Sequence, residues 1–196
     1  MITREQALKL LHDNMDSANL RRHCYSVEAV MKALAKYFKQ DEAKWAVVGL
    51  LHDSDYEKTK DTPEKHTLLT VEWLKEAGEG DPEIISAILS HNYAHLVEPD
   101  IGNSTAKAPA NEMEWSLYCC DELTGLIVAV ALVKPDKTLA SVTVDSVMNK
   151  WKEKSFAAGV KREQIEKCEE KLNIPLREFV GIALEAMQGI SVDLGL

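Results

Sequence analysis

The chain has 196 residues, of which 45% are hydrophobic and 28% charged, and its formal net charge is −9. This composition is that of an ordinary globular domain and excludes a disordered or fibrous chain. The acidic balance argues against an extended nucleic acid as a partner, because such binding relies on neutralising phosphates, although a bound metal can create a locally positive site for a nucleotide.

The N-terminal sequence and the apolar runs give no sign of export or membrane insertion. Residues 1–6 lack a basic stretch followed by an apolar one, so we expect no signal peptide. The longest apolar run, residues 126–133, is too short to span a bilayer. The four cysteines include no CxxC pair and are expected to be reduced. The sequence therefore predicts a cytoplasmic protein without a membrane partner.

Capping residues predict a chain that is helical almost throughout. Thr3, Asn19 and Asp41 would each open a helix with apolar residues at helical spacing. Asn111 begins a capping box in front of a long apolar helix. The expected fold class is therefore all-α.

Two segments share a helix-start signature, a capping residue followed by Pro and Glu. These are residues 62–64 and 81–83, and Gly78 would end the first of the two helices. The remainder is predicted to form loops at 96–110 and 133–137, and helices near 145–154 and 161–172 and after Pro175.

The chain contains no internal repeat and no flexible linker. We therefore expect one domain over residues 1–196. Its compact core would cover about 19–133, and a helical extension at about 136–196 would pack against that core.

Six polar residues stand out among the apolar helices: His23, His52, Asp53, His66, His91 and Asp121. The pair His52-Asp53 ends the apolar segment 46–51, where burial of both groups is costly unless they are paired. A divalent ion would pair them, because imidazole and carboxylate suit Fe, Mn, Co, Ni and Zn. Each residue alone also has a structural explanation, and spacing does not choose between His91 and His95.

The order of these residues resembles the HD superfamily of metal-dependent phosphohydrolases over about residues 19–130. The strongest piece is the segment 49–53, an apolar helix that delivers the His-Asp doublet, and the segment 118–123 resembles the family's last aspartate. The resemblance implies an HD-domain helical bundle with a C-terminal helical extension.

The resemblance also implies a ligand set and a reaction. His23, His52, Asp53 and Asp121 would hold one divalent transition metal, and in the two-metal branches His66 and His91 would join them, with Asp53 bridging the ions. The expected activity is hydrolysis of a small phosphorylated or nucleotide substrate by metal-activated water. In this reaction His52 and Asp53 are the expected catalytic residues, and Asp53 would orient or deprotonate the water.

Lysines near the doublet and beyond the long helix could neutralise substrate phosphate; the candidates are Lys58, Lys60 and Lys134. Asp55 and Glu57 could support ligand histidines, or could lie on an exposed loop. The doublet is followed by Ser54-Asp55-Tyr56 instead of the Ile-Gly-Lys of cyclic-dinucleotide phosphodiesterases, so we do not expect a cyclic dinucleotide as substrate.

Two other functions use the same residues differently. Some HD-fold proteins hold two irons and cleave substrates with O₂, and the six-residue set would suit that chemistry. Alternatively, the chain could be a catalytically degenerate helical adaptor that presents its C-terminal extension to a protein partner. The sequence indicates neither the substrate, the metal, nor the oligomeric state.

Overall fold

The computed structural model describes residues 2–93 and 107–196, and this part of the chain is mainly helical, without a strand among the described residues. The all-α prediction is therefore confirmed. The helices of the first part are α1 Arg4–Asn14, α2 Ala18–Phe38, α3 Glu42–Leu51, α4 Tyr56–Thr59, α5 Leu68–Glu76, α6 Pro82–His91 and α7 Glu112–Leu132. Those that follow are α8 Val144–Trp151, α9 Arg162–Ile165, α10 Lys167–Lys171, α11 Leu176–Gln188 and α12 Ser191–Leu194.

Most of the predicted helix starts are correct because a side chain caps the first backbone N–H groups. Thr3 forms a full capping box at α1, and Asp41 accepts two N–H groups at α3. Asp81 and Asn111 cap α6 and α7 in the same way. The start of α2 was misassigned: Ser17 is the cap and accepts the N–H of Leu20, one position before α2 begins at residue 18.

The helix predicted to start at Pro63 starts five residues later. Residues 63–65 form one short 3₁₀ turn, and Thr67 then adopts a left-handed conformation with φ of 70° before α5 begins. Buried polar groups draw the chain into this bend, because the Asp55 carboxylate accepts the backbone N–H groups of Thr67 and Thr70. The bend carries His66, which the pattern had placed within the first helical turn.

The centre of the fold is the packing of α2 against α3 and α7. A Cβ on Gly49 would lie 2.8 Å from the carbonyl oxygen of Val27 and 2.9 Å from the Cα of Glu28, so only glycine allows this approach of α3 to α2. Val48, Leu50 and the other apolar residues of α3 are buried in the same core. This close crossing brings the end of α3 next to α2.

The helix α7 runs through the core. It is the one helix in the described part of the chain that is long and apolar enough to cross a membrane by length and composition. Twelve of its 21 residues are buried inside the protein, and it carries Asp121 near its middle. Its apolar surface is accounted for by packing against α2, α6, α9 and α10.

The C-terminal helices pack on this core. α11 lies against α2, α7 and α8, and Phe179 on α11 is fully buried. The helix predicted at 161–172 is divided into α9 and α10, and the one predicted at 145–154 spans Val144–Trp151. Residues 96–106 of the predicted loop at 96–110 lie outside the described residues, as does His95. The rest of that loop, residues 107–110, is irregular as predicted.

Candidate metal centre

Five different parts of the fold deliver the six predicted residues to one place. His23 projects from α2, and His52 and Asp53 follow directly after α3. His66 lies in the bend before α5, His91 is the last residue of α6, and Asp121 belongs to α7. Three overlapping groups drawn from these residues have ligand atoms within 4.8 Å of one another.

One half of the cluster pairs two imidazoles with two carboxylates. The Nε2 atom of His23 lies 2.9 Å from Oδ1 of Asp121 and 3.6 Å from Oδ2 of Asp53. The Nε2 atom of His52 lies 3.4 and 3.6 Å from the same two oxygens. The two Nε2 atoms are 3.2 Å apart. Four donor atoms therefore face one small volume.

The other half is built on the second oxygen of Asp53. Its Oδ1 atom lies 3.2 Å from Nε2 of His66 and 3.1 Å from Nε2 of His91. Because Oδ2 of the same carboxylate faces His23 and His52, Asp53 stands between two pairs of imidazoles. This is the arrangement that a carboxylate bridging two ions would require.

Hydrogen bonds on the far side of two rings fix which nitrogen faces the cluster. Nδ1 of His52 donates to the carbonyl of Gly49 at 2.8 Å, and Nδ1 of His66 donates to Oδ1 of Asp55 at 2.8 Å. Once Nε2 has lost its proton, a ring that donates from Nδ1 presents the lone pair of Nε2 as a ligand. The surrounding chain thus prepares both rings for metal binding.

The structure shows the positions of Asp55 and Glu57, for which the sequence left two alternatives open. Asp55 is fully buried and holds His66, so it is not on an exposed loop. Glu57 instead accepts the N–H groups of Asp16 and Ser17, away from the cluster.

The sequence interpretation assigned no contact to Asn92, noting only that it follows His91 where cyclic-dinucleotide phosphodiesterases have a second histidine. Nδ2 of Asn92 donates to the carbonyls of Pro63 and His66 at 3.2 and 2.9 Å, and this holds the bend that carries His66. The only available signal was its place directly after His91, which does not reveal a contact with residues almost thirty positions earlier.

Mutual attraction fixes the charges of the cluster. Burial opposes a charge on His23, but the hydrogen bond and negative charge of Asp121 outweigh it and raise the pKa of His23 to about 9. Burial likewise opposes a charge on His66, but the carboxylates of Asp53 and Asp55 outweigh it and raise the pKa of His66 to about 9. Burial also opposes ionisation of Asp53 and Asp121, yet the surrounding imidazoles hold the pKa of both well below the ordinary value. Burial dominates at His91 and lowers its pKa.

The cluster is open on one side. The side chains of His23, Asp121 and Asp53 are 25%, 14% and 12% exposed, whereas those of the other three histidines are at most 3% exposed. A small molecule can therefore approach only from the side of α2 and α7, as far as the described residues define the surface.

Lys58, which the sequence suggested for phosphate binding, and two tyrosines lie apart from the cluster or at its edge. Lys58 donates to Asn14 and lies over the ring of Trp73, so its ammonium is engaged elsewhere. Tyr25 bonds His12. The ring of Tyr56 packs edge-on against His66 at a centroid distance of 5.7 Å.

These donors fit a divalent transition metal. Neutral imidazole nitrogens and carboxylate oxygens are the ligands that such ions accept, and the opposite nitrogens of two rings are already committed to acceptors. A cluster of buried imidazoles and carboxylates is also costly to desolvate unless each group is paired. The chemistry of the cluster is therefore consistent with one or two bound ions, whose identity the donor set leaves open.

Comparison with known families agrees with this geometry. The sequence matches the HD domain over residues 20–126, which is more than half of the chain and includes all six residues of the cluster. Comparison with curated proteins and with solved structures finds no match. The chain belongs to the HD domain family, whose members are typically metal-dependent hydrolases.

Proposed function

We propose that the chain is a metal-dependent phosphohydrolase that acts on a small phosphorylated substrate in the cytoplasm. The observation that supports it most is the position of Asp53, whose two oxygens face two separate pairs of imidazoles at an edge open to solvent. Hydrolytic metal sites need such an open side, because water and substrate must both reach the ion.

In this proposal His23, His52, Asp53 and Asp121 would hold one ion, and His66 and His91 together with Asp53 would hold a second. A bound divalent ion would lower the pKa of water and stabilise negative charge on phosphoryl oxygens. Fe, Mn, Co, Ni and Zn are all compatible with the ligands.

The protein's own groups then position the reactants. Asp53 is ionised at neutral pH because its pKa is held well below the ordinary value, so it accepts hydrogen bonds readily but is a weak base. We therefore assign Asp53 the task of orienting the attacking water, while the fully buried His52 excludes solvent behind it. The accessible edge at His23 and Asp121 receives the phosphoryl group.

Elemental analysis of the purified protein is the first test. We expect a transition metal in near-stoichiometric amount, its loss in Asp53→Ala, and retention of part of it in His66→Ala, because only one pair of imidazoles is then broken. Activity against a panel of phosphate esters should follow the metal content. A wild-type protein that is empty and cannot be loaded would contradict the proposal and would favour the helical adaptor.

A di-iron oxygenase is the second candidate. The six-residue set favours it, because these ligands could hold two irons, and the ring of Tyr56 packs against His66 at the edge of the set. A mixed-valent di-iron EPR signal together with consumption of O₂ would support this candidate. Turnover of a phosphate ester by the zinc- or manganese-loaded protein without O₂ would support the phosphohydrolase.

A further inference from the structure

A cavity of about 430 Å³ opens beside the exposed edge of the cluster. It lies between α2 and α7, is closed by residues 194–196, and has His23 and Thr124 in its wall. Thr124 Oγ1 lies 3.4 Å from Nδ1 of His23, so the cavity and the metal centre share the His23 ring. Its volume falls in the range of pockets that hold one small organic molecule.

A larger cavity of about 1140 Å³ has no such connection. It lies between α1, α2, α3 and the helices α11 and α12, and none of the six cluster residues lines it. The smaller cavity, here called the edge cavity, is therefore the one of the two that borders the metal centre, at the ring of His23.

The edge cavity has apolar residues on one side, while polar residues of α2 together with Thr124 of α7 form much of the rest of its wall. Val128, Leu132 and Leu194 line one side, and Leu132 is half exposed at the rim. At the other side lie Asn19 and Arg22. An apolar surface left open next to polar groups is typical of a ligand site.

Arg22 supplies the permanent positive charge of this cavity. Its guanidinium forms no ion pair within the described residues, and Nη2 lies 3.1 Å from the place that a Cβ on Gly195 would occupy. Gly195 has a φ of 70° and no side chain, so the guanidinium can occupy a place that a Cβ would crowd. A planar guanidinium of this kind suits the oxygens of a phosphate.

We propose that the edge cavity binds the organic group of a compact phosphate monoester with an apolar, ring-sized substituent, while Arg22 pairs with its phosphoryl oxygens. This inference rests on the proposed function, because it places the phosphate at the metal centre. The volume excludes a polymer from the cavity, and the net charge of −9 disfavours a polyanion. The substrate class is thus a monoester with one small organic group.

Two non-hydrolysable probes test the cavity by calorimetry on the metal-loaded protein: methylphosphonate, which has the head group alone, and benzylphosphonate, which adds a ring. We expect benzylphosphonate to bind about tenfold more tightly to the wild type, because the ring is buried. Gly125 lines the cavity, and a Cβ there meets no atom within 4 Å. Gly125→Phe should therefore remove the preference, and Gly125→Ala should keep it. Val128→Phe provides a second filling variant.

The head group is tested at Arg22. Arg22→Gln should weaken both probes by about tenfold and leave the preference for the ring intact. Metal content, measured by elemental analysis, should stay at the wild-type value in all these variants, because none removes a ligand. If both filling variants bind benzylphosphonate more tightly than methylphosphonate, as Gly125→Ala should, the inference is wrong. It is also wrong if the wild type binds the two probes with equal affinity.

The outcomes separate this inference from the proposed function. A wild type that prefers benzylphosphonate but hydrolyses no phosphate ester would overturn the phosphohydrolase and support the cavity as a binding site. A wild type that hydrolyses esters, with filling variants that bind both probes unchanged, would support the phosphohydrolase and overturn the cavity.

Discussion

The Asp55 carboxylate decides which nitrogen of His66 faces the metal centre. It accepts from Nδ1 of that ring and from the backbone N–H groups of Thr67 and Thr70. In Asp55→Asn the amide must turn a donor toward one of these donors, and metal affinity should fall by about 10- to 100-fold. Glu57→Gln is a matched control, because Glu57 caps only Asp16 and Ser17. Metal titration measures both, and equal affinity in the two variants would refute the role of Asp55.

The protonation of His23 and His66 gives the metal-free protein a characteristic pH dependence. Their pKa is raised from 6.5 to about 9, so the stabilisation is fully present below pH 6.5 and is lost as the pH rises through about 9. In a chelator, the melting temperature should therefore decline across this window. Metal binding should strengthen over the same range, because the ion competes with those protons. A metal-free protein whose melting temperature rises from pH 6.5 to 9 would contradict this assignment.

The sequence identified the residues of the centre better than those around it. His52 and Asp53 were recognisable as a polar pair that ends an apolar helix, and the order of the set indicated the family. Asn92 and Arg22 were not, because their partners lie in other parts of the chain and no spacing pattern records such contacts.

The close packing of α2 against α3 positions His52 at the metal centre. Gly49→Ala would place a Cβ within 3 Å of the α2 backbone, and its carbonyl is the acceptor for His52. We expect a loss of about 1–3 kcal/mol in the free energy of unfolding and a weaker metal site. Gly125→Ala, whose Cβ meets open space on α7, should instead gain about 1 kcal/mol. Chemical denaturation of both variants checks this, and a neutral Gly49→Ala would show that the helices can separate without cost.

Helix starts with a local cap were predictable, and the bend at residues 66–67 was not. Thr3, Asp41 and Asp81 bond N–H groups two or three positions away, so the sequence alone contains both partners. The end of α5 was likewise marked by Gly78, which has a φ of 82°. The signature at 62–64 failed because Asp55, seven or more residues earlier, takes the N–H groups that a helix would have used.

At the scale of the whole molecule, the C-terminal helices support the helix that carries His23. α11 packs against α2 and α7, and Cys168, Ile174 and Phe179 belong to the same buried core as the first helices. We propose on this basis that residues 1–196 form one cooperative domain, in which the extension stabilises the metal centre. The sequence indicated the extension but not this contact, because an apolar stripe does not specify its partner.

Phe179→Ala tests that coupling, because the side chain is fully buried on α11 and distant in sequence from every proposed ligand. Loss of the ring should cost about 3–5 kcal/mol, which corresponds to roughly 10 °C in a protein of this size. If the chain is one cooperative unit, calorimetry will show a single transition at a lower temperature, and the absorbance of bound Co²⁺ will disappear in that same transition. Two separate transitions, with the Co²⁺ signal lost only in the second at the wild-type temperature, would mean that the extension folds independently and that the metal centre does not depend on it.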